Sequence, residues 1–172
     1  MRAGARLGRV PAPMAEPVLS VRDLRVRFDV RDRHFVALDG VSFELEAGKT
    51  LALVGESGCG KSVTALAILG LLPDVARVES GSIRLGDREL VGLSDRELRS
   101  VRGKQIAMVF QEPMTALNPV LTVGDQIAEA VRAHGGVSKA DAKSRAIALL
   151  AEVGIPDPER RYGAYPHELS GG

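Results

Sequence analysis

Cysteine occurs once in the 172 residues, at Cys59, which excludes an internal disulfide framework and suits a reducing compartment. Long apolar runs are missing too. The longest, Ala65 to Leu72 with one glycine inside it, falls far short of the roughly 18 residues that a membrane span needs. Neither sign of charge is in excess, with Lys+Arg at 23 against Asp+Glu at 22 and a net charge of +1, which argues against bulk attraction to nucleic acid or anionic lipid. An anionic ligand therefore has to be held locally. The opening "MRAGARLGRVPAPMAEP" carries Arg2, Arg6 and Arg9 with no acid before Glu16, but it lacks the apolar stretch of a secretory signal. It reads as a disordered tail over residues 1–17, with Met14 as an alternative start. No internal repeat and no low-complexity tract is present. The remaining composition, 45% hydrophobic and 26% charged, is that of one soluble globular domain with a real core, expected in the cytosol.

Period-2 apolar spacing at Leu24, Val26, Phe28 and Val30 predicts a strand. "RDRH" then predicts a turn. Phe35 to Leu45 predicts a second strand interrupted at Asp39-Gly40, and Leu51 to Val54 a short buried strand. Ser62 to Leu72 is expected as a helix stopped by Pro73, and "SGSIRLGDREL" as a strand and turn. Ser94 with Glu97 spells a capping box for a short helix running to about Arg102. Gln105 to Phe110 predicts a buried strand, and "QEPMTALNPVLT" a loop broken by Pro113 and Pro119. Thr122 is the candidate cap of a helix over Val123 to His134. Ser138 with Asp141 opens a longer helix that stops at Gly154, and the tail "IPDPERRYGAYPHELSGG" reads as loop. The alternation predicts an α/β fold.

Between the Leu51–Val54 segment and the helix lies Gly55-Glu56-Ser57-Gly58-Cys59-Gly60-Lys61-Ser62. This fits G-x-x-x-x-G-K-[ST] in the strand-to-helix context that gives the pattern its meaning. Glycines let consecutive backbone N–H groups point into one concavity, and the following helix adds the positive end of its dipole. Lys61 is placed to reach β- and γ-phosphates, and the Ser62 hydroxyl to bind Mg2+ bridging them. Val63, one residue further, completes the set of backbone groups at the helix start. An incidental glycine-rich turn is the competing reading, and so many glycines without a ligand carry a cost of roughly 0.5 to 1 kcal/mol each. Cys59 fills a variable position of the pattern.

"FQEPMTALNP" (Phe110 to Pro119) and "YPHELSGG" (Tyr165 to Gly172) resemble the Q-loop and the start of the signature motif of ATP-binding cassette (ABC) transporters. They follow the P-loop in that family's order. The wording "QEPMTALNPVLTVGDQIAEA" is similar to ATP-binding subunits of dipeptide, oligopeptide and nickel importers. The resemblance runs from about Val18 to Gly172, and it implies an α/β P-loop NTPase of the ABC type, incomplete, with N-terminal antiparallel β elements, a P-loop core over 18–111 and a Q-loop and part of the helical subdomain over 111–172. It implies ATP and Mg2+ as cofactors. Phe28 falls where the family carries an aromatic that stacks on adenine, the alternative being a core phenylalanine. Gln111 falls where the family's glutamine meets Mg2+ and the attacking water, the alternative being a polar strand end. Ser170, Gly171 and Gly172 fall in the signature, which in the family touches the γ-phosphate bound to the partner subunit. The implied partners are a second ATP-binding subunit, transmembrane permease subunits and, indirectly, a solute-binding protein, with no nucleic acid. The implied location is the cytoplasmic face of the cell membrane.

The sequence ends at Gly172, ahead of the Walker B acid, the adjacent general base and the switch histidine of the family. The expectation is a nucleotide cradle without the machinery of turnover, with Leu51–Val54 short of its native neighbours. His34, His134 and His167 are expected at the surface. Two other functions compete: a P-loop NTPase of another class, for which the guanine-reading N-K-x-D pattern is missing, and a nucleotide-binding module that does not hydrolyse.

Overall fold

The computed structural model describes residues 16–31, 33–110 and 116–169. The chain divides into two compact units, the first ending at Leu98 and the second beginning at Arg99. The unit ending at Leu98 is built on a four-stranded antiparallel sheet of order β2-β1-β3-β4, with β1 Leu19–Val30, β2 Arg33–Leu45, β3 Ala76–Leu85 and β4 Arg88–Glu89. Its one full helix is α1, Lys61–Ile68. A short helix α2, Asp95–Arg99, stands at the boundary.

Along β1, Val21, Leu24 and Val26 are completely buried; Leu24 and Val26 alternate, a register irregularity separates them from Val21, and Ile83 of β3 lies opposite Val21. Of the turn expected at "RDRH", Arg31 is in a turn and Asp32 lies outside the described residues, while Arg33 and His34 already belong to β2, which begins two residues before its expected start. The interruption expected at Asp39-Gly40 is a bulge within one continuous strand. Leu24 pairs with Val41 and Val26 with Leu38, so β2 carries one extra residue there. Gly40 takes it up at φ 74°, a left-handed conformation open to glycine at little steric cost. A second irregularity of the same kind skips Ala37, since Val26 pairs with Leu38 but Arg27 with Val36.

Two expected strands do not form. Leu51–Val54 has no ladder partner among the described residues, and its side chains are open to solvent, Val54 at 92%. Gln105–Phe110 makes a single isolated bridge, Arg102 to Ile106, and Val109 is 95% exposed. An apolar run becomes a buried strand only when neighbours supply hydrogen bonds and cover, and the described residues supply neither. Helix α1 is also shorter than expected. It stops at Ile68, where the Leu69 amide bonds to the Ala65 carbonyl and Gly70 turns left-handed, three residues ahead of Pro73. The capping box at Ser94 is present, with Ser94 N–H donating to Glu97 Oε2 at 2.8 Å, but α2 ends at Arg99 rather than Arg102.

The unit beginning at Arg99 is helical: α3 Val123–Gly135, α4 Lys139–Glu152 and α5 Pro158–Tyr162, followed by one 3-10 turn at Pro166–Glu168. Both expected caps are made. Thr122 Oγ1 accepts from the Asp125 amide at 3.2 Å, and Ser138 Oγ from the Asp141 amide at 3.1 Å. Ala128 of α3 and Ala142 and Ala146 of α4 form the buried seam, small residues that let the two helices approach closely, with Ile127, Val131 and Tyr162 packed around them. The expectation of loop after Gly154 is overturned by α5 and the 3-10 turn. Proline at the first position of each pre-sets the backbone for a helical turn.

Candidate functional site

The loop from Gly55 to Gly60 carries the chain into α1, and backbone geometry shapes it. Gly60, the residue before the helix, has φ 97° and ψ 0°. A β-carbon there would lie 2.5 Å from Leu38 Cδ2 and 3.3 Å from the Ala37 carbonyl oxygen. The loop is therefore pressed onto β2 at Ala37–Leu38, and only a glycine allows both the approach and the dihedral. Gly55 is close-packed from the other side, since a β-carbon on it would meet Cys59 Sγ at 2.4 Å. Within the helix, Thr64 is buried and bonds back to the Gly60 carbonyl through its amide, 2.8 Å, and its hydroxyl, 3.0 Å.

What this shape leaves over is a set of donors. Helix starts have four N–H groups without intrahelical acceptors. Here the amides of Gly60, Lys61, Ser62 and Val63 donate to no protein acceptor among the described residues. Lys61 turns its ammonium toward the same loop, donating to the carbonyls of Gly55 at 2.7 Å and Glu56 at 2.8 Å, with Cys59 Sγ at 3.5 Å. The side chains of Ser57, Cys59 and Ser62 are exposed, and Gly58 is in open space. Amides without an acceptor among the described residues, at a helix N-terminus and with a cation held on the same loop, match an anion of several oxygens. No group of three or more His, Cys, Asp or Glu among the described residues could hold a metal ion by itself. A metal fits this loop only together with the anion, through the Ser62 hydroxyl.

Phe28 lies near the far end of β1, paired across the strands with Phe35 and stacked on it, ring centroids 5.1 Å apart and planes 10° from parallel. It is half-buried, and so neither a closed core residue nor a free surface ring. No sequence motif marks Phe35, whose register opposite Phe28 depends on the bulge at Ala37. Gln111, Ser170, Gly171 and Gly172 lie outside the described residues. His34, His134 and His167 are exposed, His34 against Asp29 with Nδ1 2.6 Å from Oδ1, and His167 stacked on Tyr165.

Away from the loop, three carboxylates are held in ionised form. Burial of Glu89 opposes its charge, but the Ser82 hydroxyl and the amides of Ile83, Val91 and Leu90 outweigh it and lower its pKa. Glu97 is lowered by the Ser94 hydroxyl and amide. Asp125 is lowered by Thr122 and by the Tyr162 hydroxyl, which donates to it at 3.0 Å; burial and that carboxylate raise the tyrosine in turn.

A glycine-shaped loop, open amides at a helix start and a lysine held on that loop are the features of a P-loop. The family model described as ABC transporter matches residues 38–172, and the chain belongs to that family. It is 53% identical over 161 residues to a probable peptide ABC transporter ATP-binding protein of Sinorhizobium fredii, covering 93% of this chain and 48% of that protein. It is 52% identical over 158 residues to the dipeptide transport ATP-binding protein DppD of Bacillus subtilis, covering 91% of this chain and 47% of that protein. The chain thus spans about half the length of these curated relatives. Its fold is shared with a solved ATP-binding cassette dimer bound to ADP and Pi, at TM-score 0.71 and 22% identity, over 88% of this chain and 63% of that one. A second dimeric cassette structure matches at TM-score 0.74 and 23% identity, over 89% of this chain and 63% of that one. The expected class, an α/β P-loop fold of ABC type with an N-terminal antiparallel sheet and helical elements, is borne out.

Proposed function

We propose that the chain is nucleotide-binding sequence of an ABC importer subunit that couples ATP binding and hydrolysis to uptake of peptides or a related small solute. The observation that carries this reading is the P-loop: amides at the start of α1 have no protein acceptor among the described residues and the Lys61 ammonium is held on the carbonyls of the same loop, in a chain about half identical to proteins named for peptide and dipeptide transport. ATP and Mg2+ are the cofactors. Gly55, Ser57, Gly58, Cys59, Gly60, Lys61, Ser62 and Val63 hold the phosphates, with Lys61 exchanging its two backbone carbonyls for β- and γ-phosphate oxygens. Ser62 with Gln111 would ligate Mg2+, which when bound would supply charge neutralisation at the phosphates. Phe28 lies under the base. Ser170, Gly171 and Gly172 act on the nucleotide of a second ATP-binding subunit. The segment 1–17 precedes this domain, and the P-loop core over 18–111 is followed by the Q-loop and helical subdomain over 111–172. The remaining partners are permease subunits and, through them, a solute-binding protein. No described helix is long and apolar enough to cross a membrane, and the proposed location is peripheral, on the cytoplasmic face.

The test is uptake of labelled di- and oligopeptides by cells whose gene carries Lys61→Ala. Loss of uptake of at least one peptide class, with the protein present at its normal level, is expected. Undiminished uptake of every peptide overturns the transport reading.

A further inference from the structure

We propose that Phe35 is a base-contacting residue of the nucleotide site, with the adenine lying against a two-ring platform of which Phe35 supplies the more exposed ring and Phe28 the inner one. The inference rests on the P-loop reading above and extends it to a residue that no sequence motif marks. Register makes the case. Val26 and Phe28 are two apart on β1 and share one face of the sheet, and cross-strand partners share a face as well. Leu38, the partner of Val26, and Phe35, the partner of Phe28, are therefore on that face together. They are three residues apart, a spacing that in a regular strand puts them on opposite faces. The extra residue at Ala37 restores them to the same one, which is the re-aiming that a bulge performs.

That face is the one the P-loop touches, because Leu38 Cδ2 is the atom a Gly60 β-carbon would strike. Phe35 lies two residues along β2 from Ala37, about 7 Å at the rise of a strand. One nucleotide with its phosphates at Gly60–Ser62 thus has its base end within reach of the aromatic pair. The two rings are not equivalent. Phe28 stands on an inner strand, with Phe35 covering one side and its β3 partner Ala76 on the other. Phe35 stands on the edge strand and is 52% exposed. Beyond it lies a hollow of about 600 Å3 lined by Val30, Arg31, Arg33 and Phe35, within the size range of small-molecule sites. An apolar ring at an edge, stacked on a second ring and open toward such a hollow, suits a flat aromatic ligand of any base identity, since every base has a π-face.

The experiment measures affinity for ATP·Mg and for inorganic tripolyphosphate·Mg on the wild-type chain and on the Phe35→Leu, Phe35→Trp, Phe28→Leu and Lys61→Ala variants, with a melting curve for each. Leucine keeps apolar bulk and removes the π-face. Phe35→Leu is expected to weaken ATP about five- to tenfold and to leave tripolyphosphate unchanged, while Phe35→Trp keeps ATP affinity. Unchanged ATP affinity in Phe35→Leu, with Phe28→Leu alone weakened, overturns the proposal and leaves the P-loop reading standing. Equal loss of ATP and tripolyphosphate affinity together with a lowered melting temperature also overturns it, in favour of a packing role for the ring. Indifference of both ligands to Lys61→Ala, or no binding by the wild type, overturns the P-loop reading itself and this inference with it.

Discussion

Leu38 of β2 and Gly60 of the phosphate loop are packed so closely that a β-carbon on the glycine would stand 2.5 Å from Leu38 Cδ2. The contact joins the antiparallel sheet to the start of α1 and sets where the open amides point. Gly60→Ala adds that collision to the strain of φ 97°, and strain at such a dihedral alone costs on the order of 1–3 kcal/mol. The expected result is a lower melting temperature together with lost nucleotide affinity. A stable, fully binding Gly60→Ala protein would show that the loop is not seated on β2 as described.

A second prediction concerns acid. Glu89 accepts from the Ser82 hydroxyl and from the amides of Ile83 at 2.9 Å, Leu90 at 3.1 Å and Val91 at 3.0 Å, closing the β3–β4 turn. Its folded pKa lies below the ordinary 4.5, so its contribution is complete above that value and is lost as pH falls through the lower folded one. Glu89→Gln should therefore destabilise the protein at pH 7 by about 1–2 kcal/mol. The gap to wild type should narrow in denaturant titrations run progressively below pH 4.5. A gap that stays constant or widens on acidification would remove the carboxylate from this role.

In the helical unit, Gly124 on the first turn of α3 lies directly beneath Tyr162 of α5, where a β-carbon would come within 2.2 Å of ring atoms and 2.5 Å of the tyrosine carbonyl oxygen. Backbone on one side of the contact leaves little room to yield. Gly124→Ala is expected to detach α5 and its Tyr162–Asp125 hydrogen bond, read as faster exchange of the Arg161 amide, which bonds to the Asp157 carbonyl at 2.9 Å. Tyr162→Phe, which removes only the hydroxyl, should leave that exchange slow and raise the pKa of Asp125 toward the ordinary carboxylate value.

Much of this was legible in sequence because the signals are local. Thr122, Ser138 and the Ser94–Glu97 pair announce helix starts through hydrogen bonds made within three residues, and all three are found. The P-loop spacing gives its own backbone shape. Gln105–Phe110 was misread because a run of apolar residues says nothing about whether a neighbouring strand is there to pair with it, while Leu51–Val54, expected to be short of its native neighbours, is unpaired among the described residues. Helix α5 carried a readable mark, Pro158 after Asp157, although Asp157 sits at φ 51° and makes no side-chain cap. The Phe28–Phe35 stack was not legible at all. It depends on where β2 bulges, and a one-residue change of register moves a side chain to the other face.

The central claim is that this chain seats the phosphates of ATP on the amides before α1 with Lys61 over them. Calorimetric titration of ATP·Mg into the wild-type chain and into Lys61→Ala tests it most directly. Among the described residues the ammonium is bonded to exposed loop carbonyls and the Cys59 sulfur, so its removal should shift stability by no more than about 0.5 kcal/mol. The account predicts a loss of affinity of at least about tenfold, a difference of about 1.4 kcal/mol, at an unchanged melting temperature. Equal affinity for ATP in the two proteins would contradict it.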